Sequence, residues 1–426
     1  MDINFHYFAV KSLAVKAGFS ADESQLIASY SQFVDDYNRA GTVMLDNVPE
    51  FARHLAKKEG RGWCFHCVTT GFSSWFDFAK LLSRDNQRNI AIPFHFIPPQ
   101  PLNAKIPEGS PDWRVAPETF EKPTVLRDLM LYAKERYRNA PAARENLILI
   151  GLLLHVFADT YAHQKFSGFG GWWNHGVVTS SYDNLEQSHA PRVTAEANGE
   201  PAALDGGLPS PFVGHATFGH SPDETFLCFT ARQKKRDHAL FDLKYTRDNT
   251  AEFLLCARRL LNFLRDCRGL KALSQSEWEP IGAAVRRGFL TREKEPKKLV
   301  IHWRKSFPDI DYDYRVGALL SQSLSQPHPS SLARVANSNA AVDLVERAVN
   351  GEKALADIFS DGDPSLVEQE DEISTLPREM AQLNAANDSL PSVLTRQTLA
   401  VHGEDFFWFN VFAKRVRDAV KRGFDK

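Results

Sequence analysis

The most constraining stretch of this chain is an apolar segment, residues 145–168, in which three ligand-type side chains recur at four-residue intervals. They are His155, Asp159 and His163. Because an α-helix turns by about 100° per residue, each step of four returns to nearly the same side, and the three side chains form one stripe. A single His on an apolar helix is more often a hydrogen-bonded core residue than a ligand. Three such groups in register are costly to bury without a compensating cation, so the stripe predicts a divalent metal.

Composition and length exclude several classes of protein. The 426 residues are enough for one large or two ordinary domains. The 51 basic and 53 acidic residues balance, so charge gives no sign of a polyanionic partner. The first residues lack the pattern of a secretion signal, and no run of 18 apolar residues occurs. We therefore expect a soluble cytoplasmic protein without a transmembrane segment.

The chain reads as mostly α, a multi-helix bundle with a metal cluster in its core and long irregular loops. Helical periodicity recurs along the sequence, and Ser20 with Glu23 forms a capping box. Residues 93–123 hold eight of the 23 prolines and predict an extended excursion over the surface. The predicted helices are 5–17, 20–37, 48–58, 125–138, 145–166, 250–265, 276–290, 340–359 and 406–424. We divide the chain into a helical domain, 1–230, and a helical extension, 231–426, packed on it.

Further metal-competent side chains lie at predicted helix ends, in short connections or on the first helix. A bundle brings such positions together at one end or in its core. The set contains imidazoles and carboxylates but no thiolate, which is typical of a multinuclear zinc hydrolase rather than a structural zinc site. Its members are His6, Asp35 or Asp36, His66, His215, His220 and Asp223, in addition to the stripe.

In its order of ligand types, this set resembles the superfamily of zinc-dependent phospholipases C and single-strand-specific zinc nucleases. The first residues, MDINFHYFAVKSLAVKAGF, are also similar to the start of an uncharacterised bacterial family associated with that superfamily. The resemblance covers about residues 1–230. It implies a mostly helical fold that holds two to three zinc ions.

The resemblance also implies a ligand for each metal position. Asp35, His66, His155 and Asp159 would hold the first zinc ion. His163 and Asp223, with either His215 or His220, would hold the second. Met1, through its amino group and carbonyl, would hold the third with His6 and the shared ligand Asp159. Met1 precedes His6 by five positions, as in the zinc nucleases, and the bulky Asp2 should protect Met1 from removal; the alternative is that Asp2 itself ligates.

The implied activity is hydrolysis of a phosphodiester, either a phospholipid, a nucleotide or single-stranded nucleic acid. Asp159 would belong to the catalytic centre, and Asp36 could act as general base or orient water. Arg39 could contact phosphate. Tyr161, Trp172 and Trp173, with Phe169, could stack a base or form an apolar rim. Each of these side chains also has a purely structural interpretation.

A second hypothesis is a non-catalytic helical scaffold in which the metal is structural. In that case the C-terminal helices would present the partner surface. The last predicted helix combines basic residues with Phe406, Phe407, Trp408 and Phe412, a composition that suits a protein partner or a membrane surface. Most such helices pack on their own domain.

Overall fold

The computed structural model describes residues 1–37, 41–71, 84–106, 110–185, 213–233, 243–312 and 403–424. The predicted helix 340–359 and Arg39 lie outside these ranges. Eight main helices are described: α1 (Val10–Lys16), α2 (Ala21–Asp36), α3 (Val125–Asn139), α4 (Arg144–Ala162), α5 (Asn249–Cys267), α6 (Gln275–Phe289), α7 (Pro296–Ser306) and α8 (Glu404–Arg422). A π-helical turn, Asn4–Ala9, leads into α1, and a short helical segment occupies Arg84–Asn86, Gln87–Ala91 and Ile92–Phe94. Single 3-10 turns occur at Glu50–Leu55, Pro111–Trp113, Trp172–Asn174 and Ala216–Phe218.

Two three-stranded antiparallel sheets accompany the helices. The first has the order β1-β3-β2, formed by β1 (Gly41–Leu45), β2 (Ala56–Glu59) and β3 (Gly62–Cys67). The second has the order β4-β5-β6, formed by β4 (Gly176–Asp183), β5 (Leu227–Gln233) and β6 (Leu243–Asp248). The fold is therefore mixed, and the prediction of a mostly α bundle is wrong. Its six strands have at most eight residues each, too short to give a clear alternating signal in sequence.

Local sequence explains where several helices begin. The capping box at Ser20 and Glu23 is confirmed, and Ser274 with Glu277 forms a second one at the start of α6. Thr124 caps α3 through the backbone N–H of Arg127. These polar residues satisfy N–H groups that have no partner within the helix.

Helix α4 runs through the centre of the molecule. It is long and apolar enough to cross a membrane by length and composition, but 94% of its most apolar stretch is buried inside the structure. Gly151 allows α2 to cross it closely: a Cβ atom there would lie 2.5 Å from the carbonyl oxygen of Ile27. This close crossing brings the end of α2 beside the His155 and Asp159 turns of α4.

Helices from the C-terminal half pack against the N-terminal half in one hydrophobic core. The indole N–H of Trp303 in α7 donates to Asn4 at 3.0 Å. In α8, the predicted terminal helix, the side-chain oxygen of Asn410 accepts from the backbone N–H of Val68 at 2.7 Å. Phe406, Phe407, Phe409 and Phe412 of α8 are buried in the same core. The apolar face of α8 is thus covered by the chain itself.

Candidate metal centre

Helix α4 supplies the middle of a cluster of imidazole and carboxylate groups. His155 and Asp159 lie on its last two turns, and His163 follows at the helix end. All three are at most 4% exposed, in a helix that is buried from Asn146 to Ala162. The four-residue spacing therefore places the stripe inside the protein, as predicted. Around it, the described residues form three groups whose ligand atoms lie within 4.8 Å of one another.

The first group is formed by Asp35, His95 and His155. Oδ1 of Asp35 lies 3.8 Å from Nδ1 of His95 and 3.6 Å from Nε2 of His155. Oδ2 of Asp159 completes it, at 3.0 Å from Nδ1 of His95 and 3.2 Å from Nε2 of His155. Two carboxylates and two imidazoles therefore converge on one point.

The second group is formed by His163, His215 and Asp223. Nε2 of His163 lies 3.1 Å from Oδ1 of Asp223, and Nε2 of His215 lies 3.3 Å from Oδ2 of the same carboxylate. Asp159 connects this group to the first, since its Oδ2 is 3.7 Å from Nδ1 of His163.

The third group is formed by His6, His155 and Asp159, and it lies beside the amino group of Met1. The Met1 amino nitrogen lies 2.6 Å from Oδ1 of Asp159 and 3.3 Å from Oδ1 of Asp223. Nε2 of His6 is 3.2 Å from the same Asp159 oxygen, and its ring stacks on His155 with centroids 3.8 Å apart. The π-helical turn Asn4–Ala9 buries His6 completely.

Backbone carbonyls orient three of the imidazoles. Nε2 of His95 donates to Thr70 at 2.7 Å, Nδ1 of His163 to the His95 carbonyl at 2.6 Å, and Nδ1 of His215 to Gly219 at 2.9 Å. A neutral ring that donates from one nitrogen presents a lone pair at the other. In each case that other nitrogen faces a carboxylate of the cluster. This is how outer hydrogen bonds prepare His ligands in metal sites.

His6 and His155 provide the test of whether a cation fits. Both ring nitrogens of His6 and Nδ1 of His155 are buried without a hydrogen-bond partner. A neutral imidazole carries a single N–H, so at least one of the two buried His6 nitrogens is an acceptor without a donor. A cation coordinated at that nitrogen would remove the cost of burying its lone pair. The donor set, nitrogen and oxygen without sulfur, suits zinc.

Protonation states of the imidazoles favour the same interpretation. Burial lowers the pKa of His6 to about 3 and that of His215 to about 4, so both rings are neutral near pH 7. Burial opposes a charge on His95 as well, but the adjacent Asp159 outweighs it and raises the pKa of that ring. A bound metal would compete with the His95 proton.

The carboxylates are anionic despite their burial. Burial alone would raise their pKa values, but the Met1 ammonium and the neighbouring imidazoles hold the pKa of Asp159 and that of Asp223 well below the ordinary value. The pKa of the Met1 amino group shifts in the opposite direction, upward from its ordinary value. Burial disfavours its charge, but these carboxylates raise its pKa to about 11. The Met1 ammonium is therefore a cation in direct contact with both carboxylates.

One edge of the cluster is open. The side chain of Asp35 is 32% exposed, and those of His215 and Asp223 are each 17% exposed, whereas Asp159 is buried. Structural zinc sites are closed, but catalytic sites keep a position accessible to water and substrate. The arrangement can therefore admit a reactant beside the first and second groups.

The end of β6 and the start of α5 hold the ligand segments in place. The guanidinium of Arg247 donates to the carbonyls of Ala162 and, at 2.9 Å, Pro222. These residues directly precede His163 and Asp223. Asn249 donates to the carbonyls of Ser221 and Glu224 at 2.7 and 2.8 Å, on either side of Asp223.

Several predicted ligands lie elsewhere. His66 is exposed on β3, opposite Thr42 of β1, and belongs to none of the three groups. His220 is exposed in the turn before Asp223, and it is His215 that faces that carboxylate. Asp2 accepts from the backbone N–H of Asn4 at 3.1 Å, whereas the Met1 amino group contacts Asp159 at 2.6 Å.

The predicted catalytic and substrate residues are also placed by the structure, except Arg39 and the side chain of Trp172, which lie outside the described part. Asp36 accepts from Gln32 on its own helix at 3.2 Å, and burial together with Asp35 raises its pKa to about 7. Tyr161 is buried and donates to the carbonyl of Glu118 at 2.8 Å. Trp173 is 4% exposed and donates to Phe169. Both aromatic rings are core residues rather than platforms at the cluster.

One protein family matches the chain over almost its whole length. The sequence pattern of a family of unknown function (DUF6765) matches residues 1–422. The chain belongs to this family. No curated protein and no solved structure matches the chain.

Two site residues of this DUF6765 protein escaped sequence reasoning. His95 takes the place expected for His66, at the end of the short helix Ile92–Phe94. Phe96 stacks on His163, with centroids 4.5 Å apart, and is partly exposed. The available signal was the pattern FHF at 94–96, an aromatic pair around a metal-competent residue, which the surrounding prolines obscured.

Proposed function

We propose that this protein is a metal-dependent phosphodiester hydrolase with a zinc centre of two to three ions. The observation that carries the proposal is the sharing of His155 and Asp159 between adjacent ligand groups, in a cluster open at Asp35. Shared carboxylates and open edges favour multinuclear hydrolytic centres over single structural ions. The proposed phosphodiester is a phospholipid, a nucleotide or single-stranded nucleic acid.

Zinc, when bound, supplies Lewis acidity toward phosphoryl oxygens and lowers the pKa of water. The residues of the chain have separate roles around it. Asp35, His95 and His155, with Asp159, would hold the first ion, and His163, His215 and Asp223 the second. His6, Asp159 and the Met1 amino group would hold the third. Asp35 and Asp223, as the most exposed carboxylates, border the position at which a substrate enters.

Other residues of the site would orient and shield the reactants. Phe96 covers one face of His163 and offers an apolar surface beside the second group. His6 and His155 close the inner side of the cluster, because both are fully buried. Water and substrate would therefore approach from the Asp35 side.

The test combines metal analysis with a hydrolysis assay on the full chain with its own N-terminus. We expect two to three zinc ions per chain and hydrolysis of bis(p-nitrophenyl) phosphate, followed by a screen of phospholipids, nucleotides and oligonucleotides. Asp159→Asn, checked for folding by circular dichroism, should lose both metal and activity. Zinc at full occupancy with no hydrolysis of any diester would instead favour the structural-metal scaffold.

A further inference from the structure

Three cationic side chains lie around Tyr245 of β6 without a direct ion pair to a carboxylate in the described residues. They are Arg114, Lys165 and Arg247, and Tyr245 lies among them. Nζ of Lys165 is 5.0 Å from the centroid of the Tyr245 ring. Tyr245 and Arg247 are two positions apart on β6, so their side chains point to the same face of the strand. In the described part of the chain, no carboxylate lies within ion-pair distance of the three cations, although Glu252 acts electrostatically on Lys165 and Arg247, and Asp223 acts on Arg247.

Backbone pairing of Val115 holds the segment that carries Arg114 against the segment that carries Lys165. The N–H of Val115 donates to the Phe166 carbonyl at 2.8 Å, and the N–H of Lys165 donates to the Val115 carbonyl at 3.0 Å. The guanidinium of Arg114 then reaches the Trp173 carbonyl at 3.3 Å. The two cations are therefore positioned by main-chain contacts rather than by a carboxylate.

The polar atoms of this cluster are incompletely satisfied. Nε of Arg114, Nε of Arg247 and the hydroxyl of Tyr245 are buried without a hydrogen-bond partner. Arg247 is 6% exposed as a whole. Burial lowers the pKa of Arg114, and it lowers that of Arg247 to about 10. Buried donors and like charges in proximity are unfavourable, and an anion would relieve both costs.

The backbone of Lys165 is strained in a way that suits a binding site. Its φ angle is 76°, in the left-handed region that residues other than glycine rarely adopt. Such conformations cost free energy and persist where function requires them. The same segment begins directly after His163, and Arg247 contacts the carbonyls before His163 and Asp223. The cation cluster is thus adjacent to the second ligand group.

We propose that Arg114, Lys165 and Tyr245, supported by Arg247, form a binding subsite for a phosphate group. Arginine offers a planar fork and lysine a compact charge, a combination suited to the several oxygens of phosphate. The phosphate is either a second, terminal phosphate of the substrate or free inorganic phosphate. The first source rests on the proposed hydrolase function.

Calorimetric titration of the full chain with inorganic phosphate tests the subsite itself. Removing one charge-assisted contact should weaken phosphate binding about tenfold in Arg114→Gln and in Lys165→Gln. Arg286→Gln, which removes an exposed cation of α6, should bind like the wild type. Wild-type protein treated with EDTA and the Asp159→Asn variant should both retain phosphate binding, with folding checked by circular dichroism.

Two outcomes would overturn the subsite: no phosphate binding by the wild type, or binding that is lost with the metal but unchanged in Arg114→Gln. A second assay separates the two sources of phosphate. It compares hydrolysis of dithymidine monophosphate diester with and without a 5′-phosphate. A KM increase in Arg114→Gln confined to the 5′-phosphorylated diester identifies a substrate phosphate; equal KM values with weakened titration identify free phosphate. Absence of all hydrolysis would reject the hydrolase while the titration still decides the subsite.

Discussion

The amino nitrogen of Met1 lies 2.6 Å from Oδ1 of Asp159, although the two residues are 158 positions apart in the chain. The N-terminal amino group is fully buried at this contact. An amino group that loses its proton has a lone pair, so this position can hold either an ammonium or a metal-bound amine. The first residue is therefore part of the centre.

Extending the N-terminus should weaken the third ligand group. A residual tag turns the Met1 amine into an amide and must displace a buried residue. We expect about one fewer zinc ion per chain by elemental analysis, and a lower thermal midpoint. The control is the same tag at the C-terminus. Equal metal content in both proteins would remove Met1 from the ligand set.

Substituting His95 and His66, one at a time, should distinguish a metal ligand from a surface residue. His95→Gln removes a nitrogen that faces Asp159 at 3.0 Å, so zinc content should fall sharply. His66→Gln changes an exposed strand residue and should leave zinc content unchanged. Elemental analysis of both variants decides the matter. The reverse result would restore the ligand set expected from the sequence.

Arg247→Lys should loosen the second ligand group although it conserves charge. Lysine cannot bridge the Ala162 and Pro222 carbonyls, so His163 and Asp223 lose a common support. Loss of outer-shell contacts typically weakens metal binding about 10- to 100-fold. Competition with a chromogenic chelator measures this. Arg258→Lys, on the neighbouring helix α5, serves as the matched control and should show wild-type affinity.

In the metal-free protein, His6 should contribute stability above about pH 6.5 and the Met1 amino group should contribute stability below about pH 8. The pKa of His6 falls from 6.5 to about 3 on folding, so the unfolded chain binds more protons below pH 6.5 and stability decreases there. The pKa of the Met1 amino group rises from 8.0 to about 11, so its contribution is lost as the pH rises through that interval. Urea unfolding of EDTA-treated wild type and His6→Gln across pH isolates the His6 contribution, because the opposing contribution of Asp36, whose pKa rises to about 7, is common to both proteins. An equal pH dependence in the two proteins would contradict the assigned His6 contacts.

Sequence periodicity was sufficient to predict the part of the site that lies on a single helix. The α4 stripe follows from a four-residue spacing within an apolar run, and its burial follows from the same run. The capping boxes at Ser20 and Ser274 are equally local. These features depend on residues a few positions apart, where helical geometry alone sets the distances.

The rest of the site depends on contacts that no local pattern encodes. The prolines of 93–123 predict an extended segment, whereas Pro93 lies near the end of the helical segment 84–94, which carries the chain to His95. The sequence predicts an irregular segment for GRGWCFHCVTT, yet most of it forms β3. The strands were not predicted because each is short, and the partner of β4 lies more than 40 residues away in sequence.

The contact of Met1 with Asp223, at 3.3 Å, has a consequence for the order of folding. It closes a loop of about 220 residues, and the entropy of loop closure must be overcome before so long-range a contact stabilises the fold. The close crossing of α2 and α4 at Gly151 joins residues that are nearer in sequence. The cluster should therefore be completed only after the helices around it have packed.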